Sequence, residues 1–278
     1  MPQFYNVATS LPLTRLIEEI DAMQVKIDAQ RPLREAIWAT IQEKLRIEWT
    51  YDSNALEGST LTKGETYFFL REGLTVEGKP FKDFLDARNH AEAIDYLYQI
   101  IKDERPITSG LMKEFNKLLL SGMAHTEAID EKGNKVQKPA TPGAYKRLPN
   151  HVLQADGAIH RYTEPVHVPA EMEELFKWIQ DALADKHPVV TSAIAHYNLV
   201  RIHPFDDGNG RGARIMMNLI LIKKHYAPAI IKIEQRRAYL ESLALADKGN
   251  LGPFVELVAR SLLNTQQIII QDFNENAK

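Results

Sequence analysis

The chain is expected to fold as an all-α domain carrying one small β-hairpin, and three observations predict it. Apolar residues recur at intervals of three and four along most of the 278 residues. Only one stretch, roughly 139–169, breaks that period at length, and it is rich in proline and glycine. Between two helical patterns lies the segment HPFDDGNGRGAR, residues 203–214, whose mixture of groups serves chemistry better than it serves packing.

In chain order, Leu13, Leu16, Ile17, Ile20 and Met23 mark a first amphipathic helix, which Arg31-Pro32 ends. Ile37, Ile41, Leu45 and Trp49 mark a second, running to Gly58 with Glu57 at its tip. Ala87, Ala91, Ile94, Leu97 and Ile101 form the next, followed by Leu111, Phe115 and Leu118. Pro139, Pro142, Gly143, Pro149, Gly157, Pro165 and Pro169 then interrupt the period. Inside that stretch the β-prone pieces 151–153 and 158–160 flank Asp156-Gly157, a dipeptide suited to a tight hairpin turn. Met172, Leu175, Phe176, Ile179 and Leu183 make a clear stripe ahead of Pro188. After 214, the run Ile215, Met216, Met217, Leu219, Ile220, Leu221 and Ile222 leaves little polar face, as in a helix buried all round. We divide the chain into an N-terminal helical region (1–95), a core (96–225, with the hairpin at about 143–167) and C-terminal helices (226–278).

Composition narrows the function. At 44% hydrophobic residues the chain can bury a substantial core, and a net charge of −3 gives no electrostatic case for nucleic acid as a partner. Without cysteine there is no disulfide, thiol catalysis or cysteine metal site. The N-terminal residues lack a basic segment followed by an apolar run, and 215–222 is too short to span a bilayer, so a soluble cytoplasmic protein without membrane contact is expected. His151, His160, His167 and His196 have no compact ligand spacing and are expected to be polar surface or loop residues.

Within 203–214, His203 is the side chain able to act as a general base near neutral pH. Pro204 and Phe205 predict a rigid turn pinned in the core. Asp207 offers the hard oxygen that binds Mg2+ beside phosphates; ligand type alone leaves Mn2+ open. Gly208 and Gly210 flank Asn209, so backbone amides can close on an anion at a helix N-terminus. Arg211 and Arg214, three apart, are expected to project from one helical face toward the same phosphate tail. A surface turn or a partial calcium loop is the lesser reading, because Ile215 follows where a closing glutamate is needed.

These residues resemble the signature of the Fic family: His, any, Phe, any, Asp or Glu, Gly-Asn-Gly-Arg, two of any, Arg. His203, Phe205, Asp207, Gly208, Asn209, Gly210, Arg211 and Arg214 meet every specified position. The resemblance implies a Fic fold and transfer of AMP from ATP to a Ser, Thr or Tyr hydroxyl of a target protein. His203 would deprotonate the hydroxyl, Asp207 would hold Mg2+ between the α- and β-phosphates, and the glycines, Asn209 and the arginines would fix the tail. Phosphotransfer, phosphocholine transfer, AMP removal and non-catalytic nucleotide sensing remain alternatives on the same motif.

The resemblance extends to about residues 45–260. Upstream, Ser53, Glu57 and Gly58 resemble the family's inhibitory motif, in which the glutamate pairs with the second signature arginine, here Arg214, in place of the γ-phosphate. The 139–169 hairpin resembles the family's flap, where Asn150, His151 and Val152 would line up an extended target segment by strand addition. Gly143-Ala144-Tyr145 precedes it, and Lys146-Arg147 stands where the family usually carries arginine. Tyr239, Leu240 and Asp247 are expected near the adenine. The sequence leaves the target unnamed and is compatible with a homo-oligomer.

Overall fold

The computed structural model describes residues 2–8, 10–30, 35–129, 135–150, 152–153 and 159–275. Ten helices are present among them: α1 (Leu11–Gln30), α2 (Glu35–Leu56), α3 (Lys63–Glu72), α4 (Phe81–Lys102), α5 (Ser109–Leu119), α6 (Val168–Asp185), α7 (Pro188–Ile202), α8 (Asn209–Lys223), α9 (Arg236–Asp247) and α10 (Gly252–Glu275). Four short strands accompany them: β1 (His125–Ile129), β2 (Lys135–Pro139), β3 (Val152–Leu153) and β4 (Ile159–His160). No helix of the described residues is long and apolar enough to cross a membrane.

The helix boundaries have local causes. Thr62 and Glu65 cap α3 reciprocally, and Gly73, at φ 70°, closes it. Thr108 accepts the Leu111 N–H at the start of α5, and prolines open α6 and α7, where a missing N–H costs nothing. The sequence-based expectations correspond to α1, α2, α4, α5, α6 and α8. Two details differ: α2 ends at Leu56, leaving Glu57 and Gly58 in the turn beyond it, and the Arg31-Pro32 stop lies outside the described residues.

The expected hairpin is β3–β4, with Val152 opposite His160 and Leu153 opposite Ile159; His151 and the Asp156-Gly157 turn lie outside the described residues. A second hairpin was not foreseen. β1 pairs antiparallel with β2, His125 opposite Pro139 through Ile129 opposite Lys135. Neither HTEAI nor KVQKP alternates apolar with polar side chains, so the period that betrays a half-buried strand is missing.

The antiparallel pair α7–α8 occupies the centre. α8 packs on α7, α4, α5 and α2, while α7 also meets α6, α9 and α10, and α1 lies along α10. Ile215, Met216, Met217, Leu219, Ile220 and Leu221 of α8 are fully buried, each worth roughly 1.5–3 kcal/mol relative to exposure. The polar exception, Asn218, is satisfied by exchanging hydrogen bonds with the backbone of Ala229. The 95/96 division drawn from the sequence falls inside α4, and helices from all three segments share one core.

His196 is not a surface residue. On α7 it is fully buried, its Nε2 3.2 Å from the Tyr239 hydroxyl and its ring against Phe254. His90 on α4 is equally buried beside Thr50. Burial, and then the charges of Arg214 for His196 and of Arg214, Arg211 and Arg46 for His90, hold both well below the usual histidine value. Both are therefore neutral in the fold, whereas the unfolded chain takes up protons there below about pH 6.5. Unfolding binds protons, so stability falls with acidification, by about 1.4 kcal/mol per pH unit for each such histidine. Thermal unfolding followed from pH 7 to pH 5 should show a falling midpoint, with a shallower slope in His196→Gln; an equal slope in that variant would exclude His196 as a source.

Candidate active site

The loop between α7 and α8 is built around His203. Its N–H still bonds to the Leu199 carbonyl at 2.9 Å, but the residue turns into the left-handed region at φ 51° and ends α7 there. Its Nδ1 lies 3.3 Å from the Val200 carbonyl, which can only accept, so Nδ1 carries the proton and Nε2 is the basic nitrogen. Tyr162 stacks on the imidazole with centroids 3.8 Å apart and planes 21° from parallel. Burial, reinforced by the charge of Lys146 and only partly offset by Val200 and Asp207, brings the His203 pKa down to about 3.

Phe205 is buried against Tyr145, and Asn209 grips it from both sides, accepting its N–H at 2.9 Å and donating to its carbonyl at 2.8 Å. The Asn209 side chain thus shapes the loop. Asp206 is held by Lys138 and Thr141, tying the foot of β2 to the loop. Asp207, one-third exposed, accepts from the Gly208 N–H at 2.5 Å, and its carbonyl is held by Asn116 of α5. Gly208, at φ 77°, caps α8 in a conformation that strains other residues. At Gly210 the reason for glycine is space: a Cβ there would lie 2.2 Å from Glu57 Oε1.

The two arginines do not share a destination. Arg211 is drawn back to Asp86 of α4, with Asp207 3.5 Å away, because two carboxylates lie on that side. Arg214 reaches α2, donating to Ser53 Oγ at 2.9 Å, the Ser53 carbonyl at 2.8 Å and Glu57 Oε1 at 2.7 Å. Partial burial pushes the Glu57 carboxyl up, but the charge and hydrogen bond of Arg214, helped by Arg211 and Arg236, outweigh it and hold it below the usual range. Gly58, at φ 96°, lets the chain leave α2 immediately after this contact.

The remaining expectations divide. Tyr239 is buried, with its hydroxyl 3.4 Å from Arg214 Nη1, and so belongs to the arginine's surroundings. Leu240, the next residue of α9, is 45% exposed on another face. Asp247 accepts from the Tyr197 hydroxyl at 3.0 Å and lies 3.9 Å from His160 at the end of β4. Asn150 accepts from Lys146 Nζ at 2.7 Å and donates to the Phe205 carbonyl at 2.9 Å; for Val152 the backbone pairing with His160 is defined. Lys146, Tyr162, Asp86 and Asn116 were not singled out for the site. Only Lys146 left a sequence signal, as the lysine in an arginine's place.

Comparison with known proteins accounts for this arrangement. The Fic/DOC family pattern matches residues 106–221. The crystal structure of a Fic domain containing signaling protein from Bacteroides thetaiotaomicron is similar at a TM-score of 0.80 and 30% identity, covering 91% of this chain and 96% of that one. The chain belongs to the Fic/DOC family. Among curated Fic relatives, protein adenylyltransferase Fic of Nematostella vectensis is 30% identical over 275 residues, 92% of this chain and 57% of that protein. Protein adenylyltransferase fic-1 of Caenorhabditis elegans is 29% identical over 248 residues, 88% of this chain and 43% of that protein. The chain thus spans about half the length of these curated relatives.

In this Fic chain a His203 pKa near 3 keeps the imidazole neutral far below the pH at which histidine ordinarily titrates. Imidazole 15N resonances of the nucleotide-free protein should show the Nδ1–H form unchanged from pH 8 to pH 5. A protonation midpoint near 6.5 would contradict the enclosure by Tyr162 and Lys146.

Proposed function

We propose that the chain is a protein adenylyltransferase that moves AMP from ATP to a Ser, Thr or Tyr hydroxyl of a target protein, and that Glu57 restrains it. What chiefly supports this reading is the convergence of a neutral imidazole with a free basic nitrogen and the first turn of α8, which no side chain of its N-cap caps, on one short loop. The hydroxyl oxygen bonds to the α-phosphorus, its proton passes to His203 Nε2, and the bond to the β-phosphate oxygen breaks to release pyrophosphate. The amides at the start of α8, with Gly210 leaving room, receive the phosphates.

Asp207 fits a divalent cation: it is a hard oxygen donor, one-third exposed, while its neighbour Asp206 is occupied by Lys138 and Thr141. Mg2+ bound there would neutralise charge on the α- and β-phosphates. Arg211 holds Asp207 from the α4 side, and Arg214 receives the γ-phosphate once Glu57 yields it. In this reading β3–β4 aligns the target segment, and the enzyme draws on cytoplasmic ATP. The three-part division of the chain follows the same roles, with restraint carried on 1–95, chemistry on 96–225 and the adenine side on 226–278.

Glu57→Gly should raise transfer of label from α-32P-ATP to protein by about 10- to 100-fold, the equivalent of a charge-assisted hydrogen bond of roughly 1.5–3 kcal/mol. Intact-mass analysis should show a gain of AMP; a gain of phosphate, or none, would refute transfer of AMP. His203→Ala in the Glu57→Gly background should lose about 10²- to 10⁴-fold in rate. An unchanged rate in Glu57→Gly at saturating ATP would remove the restraint from this reading.

A further inference from the structure

Lys146 is a lysine with 2% of its surface exposed, lodged beside the catalytic loop in no ion pair with a carboxylate within hydrogen-bond reach among the described residues. A buried ammonium is costly unless its donors are used, and here they are used on the loop. Its Nζ donates to Asn150 Oδ1 at 2.7 Å and to the Ile202 carbonyl at 3.5 Å. Its backbone N–H donates to the Pro204 carbonyl at 2.8 Å. Asn150 passes the contact on, donating to the Phe205 carbonyl at 2.9 Å. The backbone carbonyls at 202, 204 and 205, on both sides of His203, are thus held by one short segment. The same Nζ lies 5.8 Å from the centre of the Tyr162 ring, which in turn stacks on the imidazole.

We infer that Lys146 is a positioning residue for the transfer reaction, holding His203 in register through the Ile202, Pro204 and Phe205 carbonyls and through Tyr162. The inference rests on the adenylyltransferase reading for its kinetic consequence but not for its geometry. Lysine differs here from the arginine that usually follows the family's glycine-aromatic pair: it presents a compact charge, where a planar fork would divide its hydrogen bonds. Burial lowers the Lys146 pKa to about 8, against the opposing pull of Glu164, Asp206 and Glu171 and with Lys138 adding to the decrease. The charge it retains at neutral pH disfavours protonation of His203, on which Asp207 acts in the opposite sense and His160 in the same sense. Orientation and protonation state of the base therefore depend on the same ammonium.

Lys146→Met keeps the buried stem and removes the charge and the donors. In the Glu57→Gly background we expect kcat for AMP transfer to fall about 10- to 100-fold, the scale of a misplaced reacting group, with KM for ATP within about twofold. Lys146→Arg should recover most of the loss. In nucleotide-free protein the His203 protonation midpoint, read from 15N imidazole shifts, should move upward in Lys146→Met, and this readout needs no activity. If the Glu57→Gly parent does not transfer AMP but the midpoint moves, the function is wrong and the positioning holds. If the parent is active and Lys146→Met keeps its kcat, raises only KM, or leaves the midpoint in place, the positioning is wrong. Should Lys146→Met not fold, Asn150→Ala, which removes both the acceptor of the Lys146 ammonium and the donor to the Phe205 carbonyl, must lower kcat in the same direction, and an unchanged kcat would overturn the inference.

Discussion

A guanidinium buried in the middle of a helical core is stable only if every face of it is answered, and Arg214 is in that position. Its side chain is 3% exposed. Taking such a charge out of water costs several kcal/mol, which hydrogen bonds and a counter-charge must offset. Ser53 answers two of its donors, Tyr239 another, and Glu57 supplies the negative charge. An anion is needed at that point, and the turn that follows α2 brings one. The proposed restraint on nucleotide binding would follow from the solvation of one arginine.

That arginine can be fixed in place because α7 and α8 form the most enclosed part of the fold. His203 closes one helix and Gly208 opens the next, with four residues between them. Phe205 fills the core below this connection, and Asn209 locks both polar groups of the Phe205 backbone. A loop of this length has few alternatives once its middle residue is buried. Asn116 from α5 and Lys146 with Asn150 from the segment before β3 then fasten its outer side. His203 and the α8 amides are held to the same rigid frame, as the proposed chemistry by positioning requires.

Much of this frame was legible in the sequence. The apolar stripe of Ile215 to Leu221 could belong only to a buried helix, and eight specified residues in 203–214 identified the loop and its family. What was not legible has physical causes. β1 and β2 carry no alternating face, so their pairing is invisible to periodicity. Arg211 and Arg214 share a helical face in projection, but Asp86, which lies 125 residues before Arg211, pulls one of them away. His196 reads in the sequence as a polar surface or loop residue because its partners, Tyr239 and Phe254, are remote in sequence and make its burial tolerable only in the folded chain. Spacing reports which face a side chain occupies; the charge that waits on that face comes from elsewhere in the chain.

The pairing of Glu57 with Arg214 is asymmetric, and the asymmetry gives the proposed restraint a direction. The arginine side chain is 3% exposed and the glutamate side chain 43%. When they separate, the carboxylate regains water over a surface it already partly presents, whereas the guanidinium has nowhere to go. Release in the proposed mechanism would proceed by movement of Glu57, and the turn that carries it is suited to this, since α2 has ended at Leu56 and Gly58 turns the chain at positive φ. Arg214 remains behind, still bonded to Ser53 and Tyr239, with one donor aimed at the vacated space. A terminal phosphate carries more negative charge than a carboxylate and offers three acceptor oxygens, so it can replace Glu57 without repacking α8. The residues that stabilise the buried Arg214 are, for that reason, also those that would receive the proposed nucleotide.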